Sequence, residues 1–306
     1  MKIDINHTNI YFFNYIVFNF INIYFLIVIS SKKIYTYIGG YMNRVALDLG
    51  FIKIYWYSIT MLLGVVLGGS ITYLELKRLK LDKEYFFNML FYVIIFGFSG
   101  ARLYYVLFNL DYYLANPTEI LAIWNGGLAI HGGIIGGVIT ILVYSKKHNK
   151  KLNEIIKYID ICTFGLILGQ IIGRWGNFFN SEAHGGETTK LFLEKIHIPS
   201  FIINGMYING VYYHPTFFYE SILNLIGLIT LLIVRKNKNI KNGMILAIYL
   251  IWYSIVRFII EALRTDSLML GTLKMAQVIS IILFIVGIII FIISLKKGNY
   301  YNERKN

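Results

Sequence analysis

Apolar runs of about 20 residues recur along the chain and are separated by short polar segments. A helix of about 20 apolar residues crosses the roughly 30 Å hydrocarbon core of a bilayer. The pattern therefore predicts an all-α polytopic membrane protein with about seven transmembrane helices. We expect these helices near 55–75, 86–108, 127–145, 158–178, 216–234, 244–263 and 275–295.

The polar segments between the runs alternate in charge. Segments 76–85, 146–157 and 235–243 are rich in lysine and arginine, whereas 109–125 has acidic but no basic residues. Loops rich in lysine and arginine remain cytoplasmic. The alternation predicts that the N-terminus of the first span lies outside and the C-terminus lies inside.

The first 41 residues do not fit this alternation. An apolar stretch at 10–31 is interrupted by three asparagines, and the lysines that follow it would invert every later loop if it crossed the membrane. We expect 1–41 to be an N-terminal extension upstream of the native start, with a genuine extra span as the alternative. The transmembrane domain is then 42–298, followed by a cytoplasmic tail at 299–306.

The only long loop, 179–215, is expected to form a small extracytoplasmic head. Within it, Asn209-Gly210 lies between short runs rich in tyrosine. Asparagine and glycine accept the positive φ angles of a tight hairpin turn, so residues 207–213 predict a β-hairpin.

The composition supports a membrane location. Hydrophobic residues make up 57% of the chain and charged residues 15%, compared with about 25% charged in soluble domains. The net charge of +13 would suggest nucleic acid in a soluble protein, but here it resides in the loops, and no nucleic acid partner is expected. The single cysteine, Cys162, excludes intrachain disulfides and cysteine-cluster metal sites.

Glycines recur at four-residue spacing in the apolar runs, for example Gly64 and Gly68, and Gly165, Gly169 and Gly173. Small residues at this spacing let helix backbones approach closely in a membrane. The pattern predicts tight helix packing and by itself indicates no chemistry.

Ionisable residues within the apolar runs are the first candidates for function. A charged side chain at the centre of a bilayer costs roughly 2.5–3.5 kcal/mol on insertion scales, so such residues face a cavity or each other. A structural ion pair between helices is the alternative, and it weighs more for Arg102 and Glu220. The candidates are Arg102, His131, Arg174, Glu220, Arg257 and Glu261.

Two spacings suggest how these groups act. Arg174 and Asn177 are three residues apart and share one helix face, where a guanidinium and an amide suit a phosphodiester. Arg257 and Glu261 are four apart, so Glu261 is expected to orient Arg257; an amphipathic stripe at a helix seam is the alternative. The imidazole of His131 can accept a proton.

Six short motifs occur in order from about residue 42 to the last span: IYWY at 54–57, GARL at 100–103, GGLAIHGG at 126–133, GRWGNFFNSEAHG at 173–185, HPTFFYE at 214–220 and RFIIE at 257–261. Together they closely resemble the phosphatidylglycerol–prolipoprotein diacylglyceryl transferase family. The departures are modest: Ser58 replaces a common glycine, and a proline often seen near 264–266 is missing.

This resemblance implies a bacterial plasma (inner) membrane enzyme. It would transfer a diacylglyceryl group from phosphatidylglycerol to the lipobox cysteine of a prolipoprotein, next to its signal peptide, without a metal or soluble cofactor. The family's catalytic positions correspond to His131, Arg174 and Arg257. Its other important positions, beside the lipid-binding Arg174, correspond to Tyr57, Asn177, Glu182, Gly185, Tyr253 and Glu261.

Physics alone leaves other functions open. The dispersed polar residues also permit a polytopic transporter with a polar path across the membrane. A different lipid-headgroup enzyme would need an internal nucleophile or metal-binding carboxylates, and no acidic metal motif is present in the spans. A membrane scaffold has no use for so many intramembrane charges.

Overall fold

The computed structural model describes residues 44–50, 52–122 and 126–302. The predicted N-terminal extension at 1–41 and the last four residues of the predicted tail lie outside this part. The described residues form two compact units. The first unit comprises residues 80–155, and the second comprises residues 44–79 and 156–302.

Helices dominate both units. The helices are α1 (Trp56–Arg78), α2 (Lys83–Phe108), α3 (Leu110–Ala115), α4 (Ile130–Lys147), α5 (Leu152–Asn180), α6 (Lys190–Lys195), α7 (Ser200–Gly205), α8 (Thr216–Val234), α9 (Met244–Leu263) and α10 (Met275–Lys297). The strands are β1 (Val45–Asp48), β2 (Lys53–Tyr55), β3 (Glu187–Thr188), β4 (Tyr207–Ile208), β5 (Val211–Tyr213), β6 (Met269–Leu270) and β7 (Leu273–Lys274), and a 3₁₀ turn covers Pro117–Leu121. These short strands pair as β1 with β2, β5 between β3 and β4, and β6 with β7.

Within the described residues, six helices are long and apolar enough to cross a bilayer: α1, α2, α5, α8, α9 and α10. They coincide with six of the predicted spans. The remaining prediction, 127–145, corresponds to α4, which begins at Ile130 and has only 18 residues. His131, Lys146 and Lys147 lower its apolar character. The structure therefore indicates a polytopic membrane protein with six candidate spans.

The head loop contains the predicted hairpin. β4 and β5 are antiparallel, and Asn209 and Gly210 between them have φ angles of 53° and 89°. β3 pairs with the other edge of β5. Beneath this sheet lies a core of apolar side chains: Phe178, Leu193, Ile198, Ile202, Ile203, Met206 and Phe217.

The glycine spacing is explained by close packing of α1 against α5. A Cβ atom added at Gly68 would lie 2.7 Å from the carbonyl oxygen of Gly165, and one at Gly64 would lie 3.3 Å from that of Gly169. Real Cβ atoms do not approach a backbone oxygen as closely as the first distance. Hydrogen is therefore the only substituent that Gly68 accommodates without moving one of the helices.

Replacing Gly68 with alanine is expected to lower the thermal unfolding midpoint of the detergent-purified protein by several degrees. Overpacking of this kind costs roughly 1–3 kcal/mol. Gly69→Ala is the matched control, because a Cβ there has no neighbour within 4 Å in the described part of the chain. Equal midpoints for the two variants would contradict the seam between α1 and α5.

Candidate active site

Three helices of the second unit bring two arginines and two glutamates together. Nη2 of Arg174, on α5, lies 2.8 Å from Oε1 of Glu220, a residue in the second turn of α8. Arg257 of α9 lies 3.5 Å from Oε2 of the same carboxylate. Its other terminal nitrogen lies 2.8 Å from Glu261, one turn further along α9. We call these four residues the charged cluster.

Burial differs between the two charge types. The side chains of Glu220 and Glu261 are 2% and 3% exposed, whereas those of Arg174 and Arg257 are 23% and 15% exposed. The carboxylates are thus enclosed, and they balance the charge of the arginines on the buried side of the cluster. The guanidinium groups keep part of their surface available, where an anionic group can bind them in the bidentate geometry that arginine favours.

Glu220 is the residue that sequence analysis undervalued. It does form ion pairs, as the structural alternative held, but both of its partners are candidate functional arginines. Its signal in the sequence was a carboxylate within an apolar run. What the spacing could not reveal is that α8 would place this carboxylate between two other helices.

Asn177 lies in the last turn of α5, and Glu182 lies two residues after the helix ends. Together they stabilise the turn that follows the helix. The Asn177 amide donates a hydrogen bond to Oε1 of Glu182 at 3.1 Å, and the amide of Asn180 donates to the same oxygen at 3.3 Å. The backbone N–H of Glu182 donates to the carbonyl of Asn177. The predicted site residues Asn177 and Glu182 therefore contact each other directly, and Asn177 is three residues after Arg174.

Gly185 connects the head to two helices. Its N–H donates to the carbonyl of His214, just before α8, and the N–H of Gly186 donates to that of Leu263 at the end of α9. A Cβ at Gly185 would lie 2.7 Å from the Cβ of His214, so a side chain is excluded here. Nearby, a hydrogen bond from Arg264 lowers the pKa of Asp266.

The two predicted tyrosines lie on different helices of the second unit. Tyr57, near the start of α1, packs against Gly176, where an added Cβ would lie 2.7 Å from the tyrosine ring. Tyr253 lies one turn before Arg257 and stacks on Tyr249, with the ring centroids 5.8 Å apart. The hydroxyl of Tyr249 accepts a hydrogen bond from Gln170.

His131 belongs to the first unit, where it lies exposed in the first turn of α4. Its ring centroid is 6.0 Å from that of Tyr104. Arg102 fixes the approach to this turn by donating to the carbonyls of Glu119, Ile120, Gly126 and Gly127. Arg102 thus has the structural role that sequence analysis weighed, although its partners are carbonyl groups. The catalytic role that the resemblance implies for His131 stays a prediction.

The apolar helices and the charged cluster define a polytopic α-helical membrane protein with an ionisable site enclosed by its helices. The chain belongs to the prolipoprotein diacylglyceryl transferase family, whose model matches residues 44–293. The resemblance predicted from the motifs is confirmed.

Curated relatives named phosphatidylglycerol–prolipoprotein diacylglyceryl transferase include proteins of Bacillus cereus strain G9842, Bacillus thuringiensis subsp. konkukian strain 97-27 and Bacillus anthracis strain CDC 684. Each is 49% identical to this chain over 257 residues, which are 84% of this chain and 94% of the relative. These names favour a transferase over the transporter alternative.

Proposed function

We propose that this protein transfers the diacylglyceryl group of phosphatidylglycerol to the lipobox cysteine thiol of a prolipoprotein, the first step of lipoprotein maturation. Family membership supports the reaction class. The observation that carries the proposal is the charged cluster, in which Arg174 and Arg257 share one buried carboxylate and remain partly accessible. Two guanidinium groups so arranged suit one phosphate of a lipid headgroup.

The proposed membrane arrangement has seven spans, with α4 as the seventh, in a bacterial inner membrane. Lys77 and Arg78 at the end of α1 and Lys146 and Lys147 at the end of α4 would lie on the cytoplasmic side. The N-terminus of α1, the head and the N-terminal turn of α4 would then lie outside. This orientation exposes the candidate site to secreted substrates.

In the proposed reaction, the substrate thiolate attacks the carbon of the acylated glycerol that bears the phosphodiester oxygen. A carbon–sulfur bond forms, the carbon–oxygen bond breaks, and glycerol 1-phosphate leaves with the electron pair. Negative charge grows on the phosphate, and charge placed in advance in a dry site is often the largest catalytic contribution. Arg174 and Arg257 would provide that charge, and His131 would accept the thiol proton directly or through water.

The remaining predicted site residues would support this chemistry. Glu220 and Glu261 would hold the arginines in place, while Asn177 and Glu182 would shape the turn beside Arg174. Gly185 would keep the head against the ends of α8 and α9. Tyr57 and Tyr253 would bind substrate from α1 and α9.

Purified protein incubated with labelled phosphatidylglycerol and a lipobox peptide tests the proposal. We expect release of glycerol 1-phosphate together with a diacylglyceryl-peptide thioether. A peptide with serine in place of cysteine is the control, because a hydroxyl is a far weaker nucleophile than a thiolate at neutral pH. Equal release with both peptides, or none with either, would overturn the proposed reaction.

A further inference from the structure

A groove of about 780 Å³ runs along the first unit between α2 and α4. The residues of α2 that line the groove recur every three or four positions from Asn88 to Leu103, which is a length of about 22 Å on a helix. Phe96 and Val143, which line it, are 52% and 63% exposed. The groove is therefore long, mostly apolar and open along its side.

The two ends of the groove differ in chemistry. One end reaches Gly100, Leu103 and Gly136 and is apolar, whereas the other is lined by Lys147 and His148. Lys147 has no ion-pair partner among the described residues. Lysines outnumber carboxylates by six to three within 80–89 and 144–155, so this end attracts anions.

The basic end is also preorganised. Nδ1 of His148 lies 2.9 Å from the carbonyl oxygen of Tyr144, so this nitrogen is the donor, and Nε2 can donate to a phosphate oxygen when the ring is protonated. The rings of Tyr144 and His148 pack with centroids 4.1 Å apart. Tyrosines near the ends of membrane helices, as Tyr144 is in α4, are typical of the boundary between the bilayer core and the headgroups.

A buried polar atom in the groove lacks a partner. Asn88 is 5% exposed, and its Oδ1 has no hydrogen-bond partner in the described part of the chain. A buried acceptor left unpaired destabilises the protein, because it has lost its hydrogen bonds to water. Asn88 lines the same groove as Lys147 and His148, so a ligand that places a hydroxyl donor there would relieve this cost.

We propose that the groove between α2 and α4 binds an anionic phospholipid of the cytoplasmic leaflet, with its phosphate at Lys147 and His148 and one acyl chain along Phe96 and Val143. The placement in that leaflet rests on the membrane orientation given above. This site lies in the first unit and uses none of the residues of the charged cluster.

The shape and charge of the groove favour a lipid over a soluble anion. Its estimated length of about 22 Å exceeds half of the roughly 30 Å hydrocarbon core, so it accommodates the chain of one leaflet. An inorganic anion would occupy only the basic end and leave the apolar walls uncovered. A zwitterionic lipid would gain less from Lys147, since its headgroup carries no net charge.

Phospholipid that stays bound through purification tests this site. The protein is extracted from vesicles of mixed phosphatidylserine and phosphatidylcholine, and each lipid is quantified per protein; phosphatidylserine is anionic but is not the proposed substrate of the charged cluster. Lys147→Ala is expected to lower retained phosphatidylserine about fivefold, as is typical for one basic residue near anionic lipid. Lys146→Ala is the matched control, because it removes the same charge from a neighbour that does not line the groove.

A second pair of variants tests the acyl-chain part. Val143→Trp should fill the groove and lower retention, whereas Val138→Trp, on an exposed position outside the groove, should not. Equal retention by the Lys146 and Lys147 variants would overturn the proposal, as would unchanged retention in Val143→Trp. The measurement needs no transfer activity, so it can fail while the proposed reaction stands.

Discussion

Replacing Arg174 with lysine is expected to lower kcat for diacylglyceryl transfer about 10²–10³-fold. Loss of one donor that stabilises a developing oxyanion has an effect of this size. Lysine keeps the charge but presents it at a point, so it cannot contact Glu220 and two phosphate oxygens in the planar geometry of arginine. Initial rates at varied phosphatidylglycerol concentrations would separate this loss in kcat from a change in KM.

Arg78→Lys is the matched control for this substitution. The guanidinium group of Arg78 also pairs with a buried carboxylate, that of Glu75, at 2.6 Å, but it lies at the C-terminal end of α1, opposite the end that carries Tyr57. We expect near-normal kcat for that variant. Full activity of Arg174→Lys would show that the planar fork is not required, and the chemical role given to Arg174 would then be wrong.

The second large effect is expected for Glu220→Gln. This change removes the carboxylate that Arg174 and Arg257 share, so Arg174 loses its ion pair while Arg257 keeps the one with Glu261. Breaking a buried ion pair by removing one partner costs roughly 3–5 kcal/mol. Both the thermal unfolding midpoint and kcat should fall, and further than in Glu261→Gln, because Glu261 pairs only with Arg257 among the described residues.

A double substitution separates stability from catalysis. Adding Arg174→Gln to Glu220→Gln removes the charge that has lost its partner, so the unfolding midpoint should partly recover while transfer stays low. If the midpoint fell further by the full effect of each single change, the two residues would act independently. Their contact at 2.8 Å would then contribute nothing to stability.

Local patterns explain which parts of the fold and site the sequence could predict. Arg257 and Glu261 are neighbours on one helix, so a spacing of four residues was enough to predict their contact. The turn at Asn209 and Gly210 was predictable because few residues accept its φ angles. The six apolar helices followed from the length of their hydrophobic runs.

Contacts between distant segments were not predictable in this way. Glu220 lies 46 positions from Arg174 in the sequence, and nothing in either motif specifies their pairing. The contacts of Arg102 could not be predicted either, because its partners are backbone carbonyls, which every residue carries. Sequence patterns thus identified which groups were unusual, and packing determined which of them meet.

The balance of two cations and two anions in the charged cluster bears on how the site behaves in an energised membrane. With both carboxylates ionised, these four side chains sum to zero, so the transmembrane voltage exerts no net force on the unoccupied site. A bound phosphodiester adds one negative charge, for which the full field is worth roughly 2.3 kcal/mol per 100 mV. In the proposed orientation the site lies near the outer surface, where a lipid would experience only a fraction of that field, so we expect lipoprotein lipidation to be largely insensitive to changes in membrane potential.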